Sequence, residues 1–301
     1  MPHHPNEDTP ELRRWIVARI EAGQSPDELL SELIRQGMSE PTAVEVMTRT
    51  LESRLAEIKA RKAVAKAGTA DAAGPGAAVE PEAMSVPQPL PADWPPVIRA
   101  LDREVRVIFS LAHPRVVLFG GLLSDKECDQ LVALARGRMS ASHVMDMESG
   151  GTRPNEARTS SGMCFQRGET ALIERIEKRV AALLRWPFEH GEALQVLRYR
   201  VGQEYRPHYD YVDPSQPGAA AFLARGGQRV GSLVMYLNTP EAGGATSFPD
   251  ATLEVAAMKG NAVFFSYDRP HPSTRSLHGG MPVRAGEKWV ATKWLRERTH
   301  E

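Results

Sequence analysis

The chain has 301 residues, 42% of them hydrophobic and 25% charged, with a formal net charge of −1. That length suits roughly two domains, or one of about 200 residues with an appendage, and the apolar share is enough for a sizeable core. The balanced charge excludes a global basic field for nucleic acid and an acidic tail, and two cysteines, Cys128 and Cys164, exclude a disulfide framework.

The first eight residues are polar and acidic, with no apolar run after them, so no signal peptide is expected. No run of about 18 apolar residues follows. The expectation is a soluble cytoplasmic protein without a membrane or nucleic-acid partner. Residues 1–62 read as a three-helix module. Thr9 caps the first helix, with Pro10 at its first position and Leu12, Trp15, Ile16 and Ile20 on one stripe. Ser25 and Glu28 form a capping box ahead of Leu29, Leu30, Leu33 and Ile34, and Gly37 closes that helix. Ser39 starts the third, with Ala43, Val44, Met47, Leu51, Leu55 and Ile58 at helical spacing. The module carries no chemistry-bearing cluster and suits self-association or docking. Residues 63–96 turn rich in Ala, Gly and Pro and read as a flexible linker.

From residue 97 to 301 the composition is that of a folded domain. Strands are expected at 104–109 and 115–119, and a helix from the Ser124–Glu127 capping box to about Arg136. A polar loop then covers 146–157, followed by a strand at 158–164, a helix at 169–186 and a strand at 195–201. Short strands and Gly/Pro turns fill the remainder, including a Gly-rich loop at 213–228. Helices first and many strands after suggest a β-sandwich or jelly roll with helices packed outside.

Chemistry enters at Tyr205-Arg-Pro-His-Tyr-Asp-Tyr211. His208 and Asp210 are two residues apart, which on a strand puts both side chains on one face. With 9 His and 12 Asp in 301 residues, chance alone supplies about 0.4 such pairs, so the pair by itself says little. His278, in Ser276-Leu-His-Gly-Gly280, offers a third ligand, and two His with one Asp match the facial triad that holds Fe(II) and leaves positions open. Lys288 stands ten residues further on, at the head of an apolar strand where a cation needs an anionic partner.

The surrounding motifs resemble those of prolyl 4-hydroxylases. Gln195–Tyr211 resembles their iron-binding segment and Gly226–Asn238 their next core strand. Glu241–Pro249, Lys259–Phe265, Ser276–Val283 and Gly286–Arg296 continue the series in order, so the resemblance spans about residues 98–301. It implies a mainly β double-stranded β-helix (jelly roll) with flanking helices, beside the N-terminal helical module. It also implies Fe(II), 2-oxoglutarate and O₂ as cofactors, with ascorbate as a reductant, and a proline-containing protein or peptide as substrate. The implied reaction is hydroxylation of peptidyl proline coupled to decarboxylation of 2-oxoglutarate to succinate and CO₂. The same chemistry on another residue or a small molecule, or a non-catalytic binding module, are the alternatives.

By position, the resemblance makes His208, Asp210 and His278 the iron ligands and Lys288 the partner of the distal carboxylate of 2-oxoglutarate. Tyr199 and Thr246 would bond the same carboxylate. Arg158, Arg229 and Trp294 match positions near the peptide groove, with Trp294 also counted among the cofactor-binding residues. The stretch Ser266–Arg275 departs from the family pattern, which often carries an acidic residue near Thr274 or Arg275.

Overall fold

A computed structural model of the chain describes residues 9–21, 25–50, 83–141, 143–145, 152–154 and 157–300. The chain divides into two compact units, one ending at Ala78 and the other starting at Val79. None of the described helices is long and apolar enough to cross a membrane.

The first unit holds α1 (Pro10–Glu21), α2 (Pro26–Arg35) and the helical residues 40–50 (α3). Thr9 Oγ1 accepts from the Leu12 amide at 3.2 Å, and Ser25 and Glu28 close a reciprocal capping box on α2. Ile16, Leu29, Leu33, Met38, Ala43, Val46 and Met47 form its core. Two residues expected on the inner stripe face outward: Ile34 is 39% and Val44 44% exposed. The buried face of α3 runs through residues 43, 46, 47 and 50, an i, i+3, i+4, i+7 series that leaves position 44 outside. The expected continuation through Leu51, Leu55 and Ile58, and residues 63–82, lie outside the described residues.

The second unit is built on antiparallel strands. They are β1 (Val97–Ala100), β2 (Arg103–Leu111), β3 (Arg115–Gly120), β4 (Ser140–Ala141), β5 (His143–Met145), β6 (Thr152–Pro154), β7 (Ser161–Phe165), β8 (Leu194–Tyr199) and β9 (Tyr205–His208). After them come β10 (Arg229–Tyr236), β11 (Ala242–Gly243), β12 (Thr246–Phe248), β13 (Leu253–Val255), β14 (Ala262–Ser266), β15 (His278–Gly280), β16 (Val283–Ala285) and β17 (Lys288–Arg296). The larger sheet has the order β1-β2-β3-β14-β10-β17-β8-β7-β4 and the smaller β13-β12-β15-β9, with β5/β6 and β11/β16 as separate pairs.

Two core clusters explain the layering. Helices α4 (Asp125–Arg136) and α5 (Ala171–Leu184) cover one face of the larger sheet, where Leu131, Ile173, Ile176 and Val180 meet Leu233, Phe264 and Trp289. On the other face, Tyr236, Val263, Phe265 and Val290 meet Phe248 and Val255 of the smaller sheet. This is the double-stranded β-helix, an open jelly roll with helices outside. Strands β10, β14 and β17 read as continuous apolar runs because both their faces are covered. α5 is fixed by Arg179, whose buried guanidinium donates to Asp102 at 2.8 Å, to Glu127 at 2.7 Å and to the Leu122 carbonyl at 2.9 Å.

Several elements differ from the sequence reading. The strand expected at 158–164 starts three residues later, because the Thr159 amide is engaged by the Glu204 carbonyl at 3.2 Å and Arg158 makes an isolated bridge to Tyr205. The expected loop at 146–157 contains β6, paired with β5; residues 146–151 and 155–156 lie outside the described residues. The loop at 213–228 contains a short helix, α6 (Ala219–Ala224), built on an Ala/Phe/Leu run. Residues 83–96, expected to be linker, are part of the second unit. The Met84 amide donates to the Asp268 carbonyl at 2.6 Å, the Val107 amide donates to the Pro96 carbonyl at 2.8 Å, and Leu90 packs on the core. Pro87 and Pro89 are buried there, which proline tolerates because it has no N–H to satisfy.

Candidate active site

The site is assembled where β9 and β15 lie side by side, with His278 paired directly to His208. A bulge follows at Gly279. A Cβ on that residue would stand 2.9 Å from the Tyr205 carbonyl oxygen and 3.1 Å from the Pro207 nitrogen, so only glycine lets the two strands approach this closely. Asp210 lies two residues beyond His208, just past the end of β9.

Backbone carbonyls fix both imidazoles. His208 Nδ1 is 2.9 Å from the Arg206 carbonyl and His278 Nδ1 is 3.0 Å from the Ser276 carbonyl. A carbonyl only accepts, so each Nδ1 carries the proton and each Nε2 presents a lone pair. Those lone pairs point at Asp210: His208 Nε2 is 3.5 Å from Oδ1 and His278 Nε2 is 3.4 Å from Oδ2. The ligand atoms of the three residues all lie within 4.8 Å of one another. Burial pushes His278 down to about 4, so it is a neutral imidazole at physiological pH. Burial works against ionisation of Asp210 as well, yet its carboxyl lies well below its ordinary range; the imidazoles favour the carboxylate only when protonated, and the buried Arg229 favours it throughout. Two neutral nitrogens and one carboxylate, each anchored from behind, fit Fe(II).

One pocket gathers His208, Asp210, His278, Lys288, Tyr199, Thr246, Trp294 and Arg158. Lys288 pairs in register with Tyr199 on β8 and is 3% exposed. It has no ion pair among the described residues; its Nζ sits 5.6 Å from the Tyr199 ring centre and 5.9 Å from that of Tyr236. Burial alone lowers it to about 8. The Thr246 hydroxyl accepts from Tyr236 Oη at 2.9 Å, which leaves its own proton to donate into the pocket. Tyr199 lies against Ser160 and Arg158, its hydroxyl pushed up chiefly by burial. A buried cation beside a free hydroxyl donor suits a carboxylate, so the residues fit 2-oxoglutarate as well as iron.

The peptide-groove candidates separate. Arg158 donates to Gln195 Oε1 at 2.6 Å and lies 4.9 Å over the Tyr205 ring, while its buried Nε has no acceptor. Trp294 Nε1 is also buried without an acceptor. Arg229 does not line the pocket. It lies 4.1 Å over the Trp294 ring and is bound to Glu192 at 2.7 and 3.0 Å. Glu192 also takes Arg296 Nε at 2.6 Å. Burial would raise this carboxyl, but Arg229 and Arg296 bring it down to about 2.

Sequence reasoning missed Glu192, Arg296, Gln228, Ser232 and Tyr267, all of which bear on the site from behind. Gln228 clamps Val212 through the Val212 amide at 2.8 Å and its carbonyl at 2.7 Å. The available signal was polarity inside apolar runs: Ser232 within Val230–Leu237, and Arg229 and Arg296 at the ends of two core strands.

A family model described as 2OG-Fe(II) oxygenase superfamily matches residues 194–296, which include every one of these pocket residues except Arg158. The chain is 38% identical over 208 residues to probable prolyl 4-hydroxylase 7 of Arabidopsis thaliana, covering 62% of this chain and 64% of that protein. It is 42% identical over 203 residues to prolyl 4-hydroxylase 1 of the same plant, covering 62% and 70%. A crystal structure of the viral collagen prolyl hydroxylase of Paramecium Bursaria Chlorella virus-1 with 2OG is 31% identical, covers 60% of this chain and 95% of that one, and superposes with a TM-score of 0.46.

Proposed function

We propose, from the premise that this chain belongs to the prolyl 4-hydroxylase family of Fe(II)/2-oxoglutarate oxygenases, that it hydroxylates proline in a protein or peptide. The observation that carries this reading is Lys288, a buried cation without an anionic partner among the described residues, on the same pocket as the His208–Asp210–His278 cluster. When bound, iron and 2-oxoglutarate supply O₂-dependent oxidation of an unactivated C–H, with 2-oxoglutarate leaving as succinate and CO₂.

The chain's own residues bind, orient and exclude water. His208, Asp210 and His278 would hold Fe(II). Lys288 and Thr246 would take the distal carboxylate of 2-oxoglutarate, with Tyr199 beside them. The apolar walls at Leu197, Val234 and Val290 keep water from the reacting carbon. The unpaired N–H groups of Arg158 and Trp294 supply two donors for peptide carbonyls, which supports a peptide over a small apolar substrate. Ascorbate serves as reductant in this reading. The two free thiols, Cys128 and Cys164, suit a cytoplasmic location. The outward-facing Ile34 and Val44 support self-association through the N-terminal helices.

The test is succinate release from 2-oxoglutarate with Fe(II) and O₂, with and without proline-containing peptides, followed by mass spectrometry for +16 Da on proline. Peptide-driven succinate with modified proline is expected. His208→Ala and His278→Ala should abolish both metal content and turnover. Succinate formed at the same rate with every peptide, and no modified proline, would overturn the peptidyl-proline reading.

A further inference from the structure

Asp210 is clamped at its backbone. Gln228 grips Val212 from both sides, and Arg229 Nη1 reaches the Asp210 carbonyl at 3.4 Å. These contacts fix the main chain and leave the carboxylate free to turn about χ2, a broad torsion for Asp. Something else must set its twist.

Ser232 sits at the middle of β10, opposite Trp294 on β17 and Phe265 on β14, and is fully buried. Its hydroxyl lies 2.6 Å from Asp210 Oδ2. It also lies 3.0 Å from Tyr267 Oη. The directions of these two bonds follow from proton counting. An ionised carboxylate only accepts, so Ser232 gives its single proton to Asp210. The contact with Tyr267 must then be donated by the phenol. Tyr267 is 1% exposed and placed by its own amide, which donates to the Val230 carbonyl at 3.2 Å. Burial beside Asp210 keeps the phenol protonated far above its ordinary range, in agreement with that direction. The chain Tyr267 O–H to Ser232 Oγ, Ser232 O–H to Asp210 Oδ2 therefore runs one way, and each bond polarises the next.

We propose that Tyr267 is a positioning residue of the metal site, acting through Ser232 to fix the twist of the Asp210 carboxylate so that its oxygens keep facing the two imidazole Nε2 atoms. The inference rests on the metal-site reading above, not on the identity of the substrate.

The experiment is anaerobic titration of metal-free protein with Co(II), followed by its visible absorption, with circular dichroism and unfolding midpoints recorded alongside. Ser232→Ala should weaken Co(II) binding roughly 10- to 100-fold, and Tyr267→Phe roughly three- to tenfold, as expected when a group behind a metal ligand is lost. Ser232→Thr, which keeps the hydroxyl, should stay near wild type. Because the two groups act in series, Tyr267→Phe should have no further effect in the Ser232→Ala background. Equal losses from Tyr267→Phe in both backgrounds, or no loss from it at all, would overturn the relay. Wild-type protein that takes up no Co(II) would instead bring down the metal-site reading beneath it.

Discussion

Lys288 gives the most demanding prediction, because its two roles have opposite signs. The ammonium is 3% exposed and its position is lowered by burial from 10.5 to about 8. Each unit of such a shift corresponds to 1.36 kcal/mol, so the ligand-free protein carries a penalty of about 3 kcal/mol for keeping this group charged. The Tyr199 and Tyr236 rings return part of it, on the order of 1 kcal/mol. Lys288→Met keeps the stem volume and removes the charge, so the metal-free, ligand-free variant should be more stable than wild type by about 2 kcal/mol at pH 7. The folded state binds this proton less tightly than the unfolded chain does. The penalty is therefore complete below pH 8 and fades as pH rises from there towards 10.5, and the advantage of the variant should fade with it. The same substitution leaves a dicarboxylate without its cation, and the 2-oxoglutarate requirement should rise roughly a hundredfold. Urea unfolding followed by tryptophan fluorescence at pH 7 and pH 10 reads the first effect, and succinate release against 2-oxoglutarate concentration reads the second. A variant less stable than wild type at pH 7, or one with an unchanged 2-oxoglutarate requirement, would refute the reasoning.

Two further substitutions test the frame of the site. Gly279→Ala places a Cβ against backbone atoms at 2.9 and 3.1 Å, which cannot yield as a flexible side chain would; it should cost on the order of 1–3 kcal/mol and separate β9 from β15. Elemental analysis of the purified variant should then find most of the metal gone. Glu192→Gln leaves Arg229 and Arg296 buried without their shared anion and should cost roughly 3–5 kcal/mol at pH 7. In wild type this carboxylate, lowered from 4.5 to about 2, contributes stability above pH 4.5 that is lost as pH falls towards 2. The gap between the two proteins in urea unfolding should therefore narrow between pH 4.5 and pH 2.

The part of the candidate site written in short-range terms was legible, whereas His278, 70 positions from His208, was reached only through the ordered motifs around it. His208 and Asp210 are a two-residue spacing, and Lys288 announces itself as a charge at the head of an apolar strand. The jelly roll was legible from the ordered series of core strands. What escaped depends on which strands become neighbours. Arg229 read as a substrate contact because nothing local reveals that β10 and β17 set it opposite Arg296, with Glu192 between them. Ser232 drew no notice, since its partner Tyr267 lies 35 positions away. Residues 83–96 have the composition of a disordered linker, and composition cannot express that Met84 and Leu90 find an acceptor and a core on another part of the chain.

The pairing of His208 with His278 also bears on the connectivity of the molecule. The two residues are 70 positions apart, and the segment between them carries β10 through β14. Within that segment β10 and β14 are tied to β17 and β3 of the larger sheet, so the short β9–β15 ladder holds only the two ends that carry the imidazoles. An ion shared by the two imidazoles would act as a clasp across those ends. Its loss would then be felt first in β9, β15 and the chain beside them, as faster amide exchange there while β10 and β14 stay protected by the larger sheet.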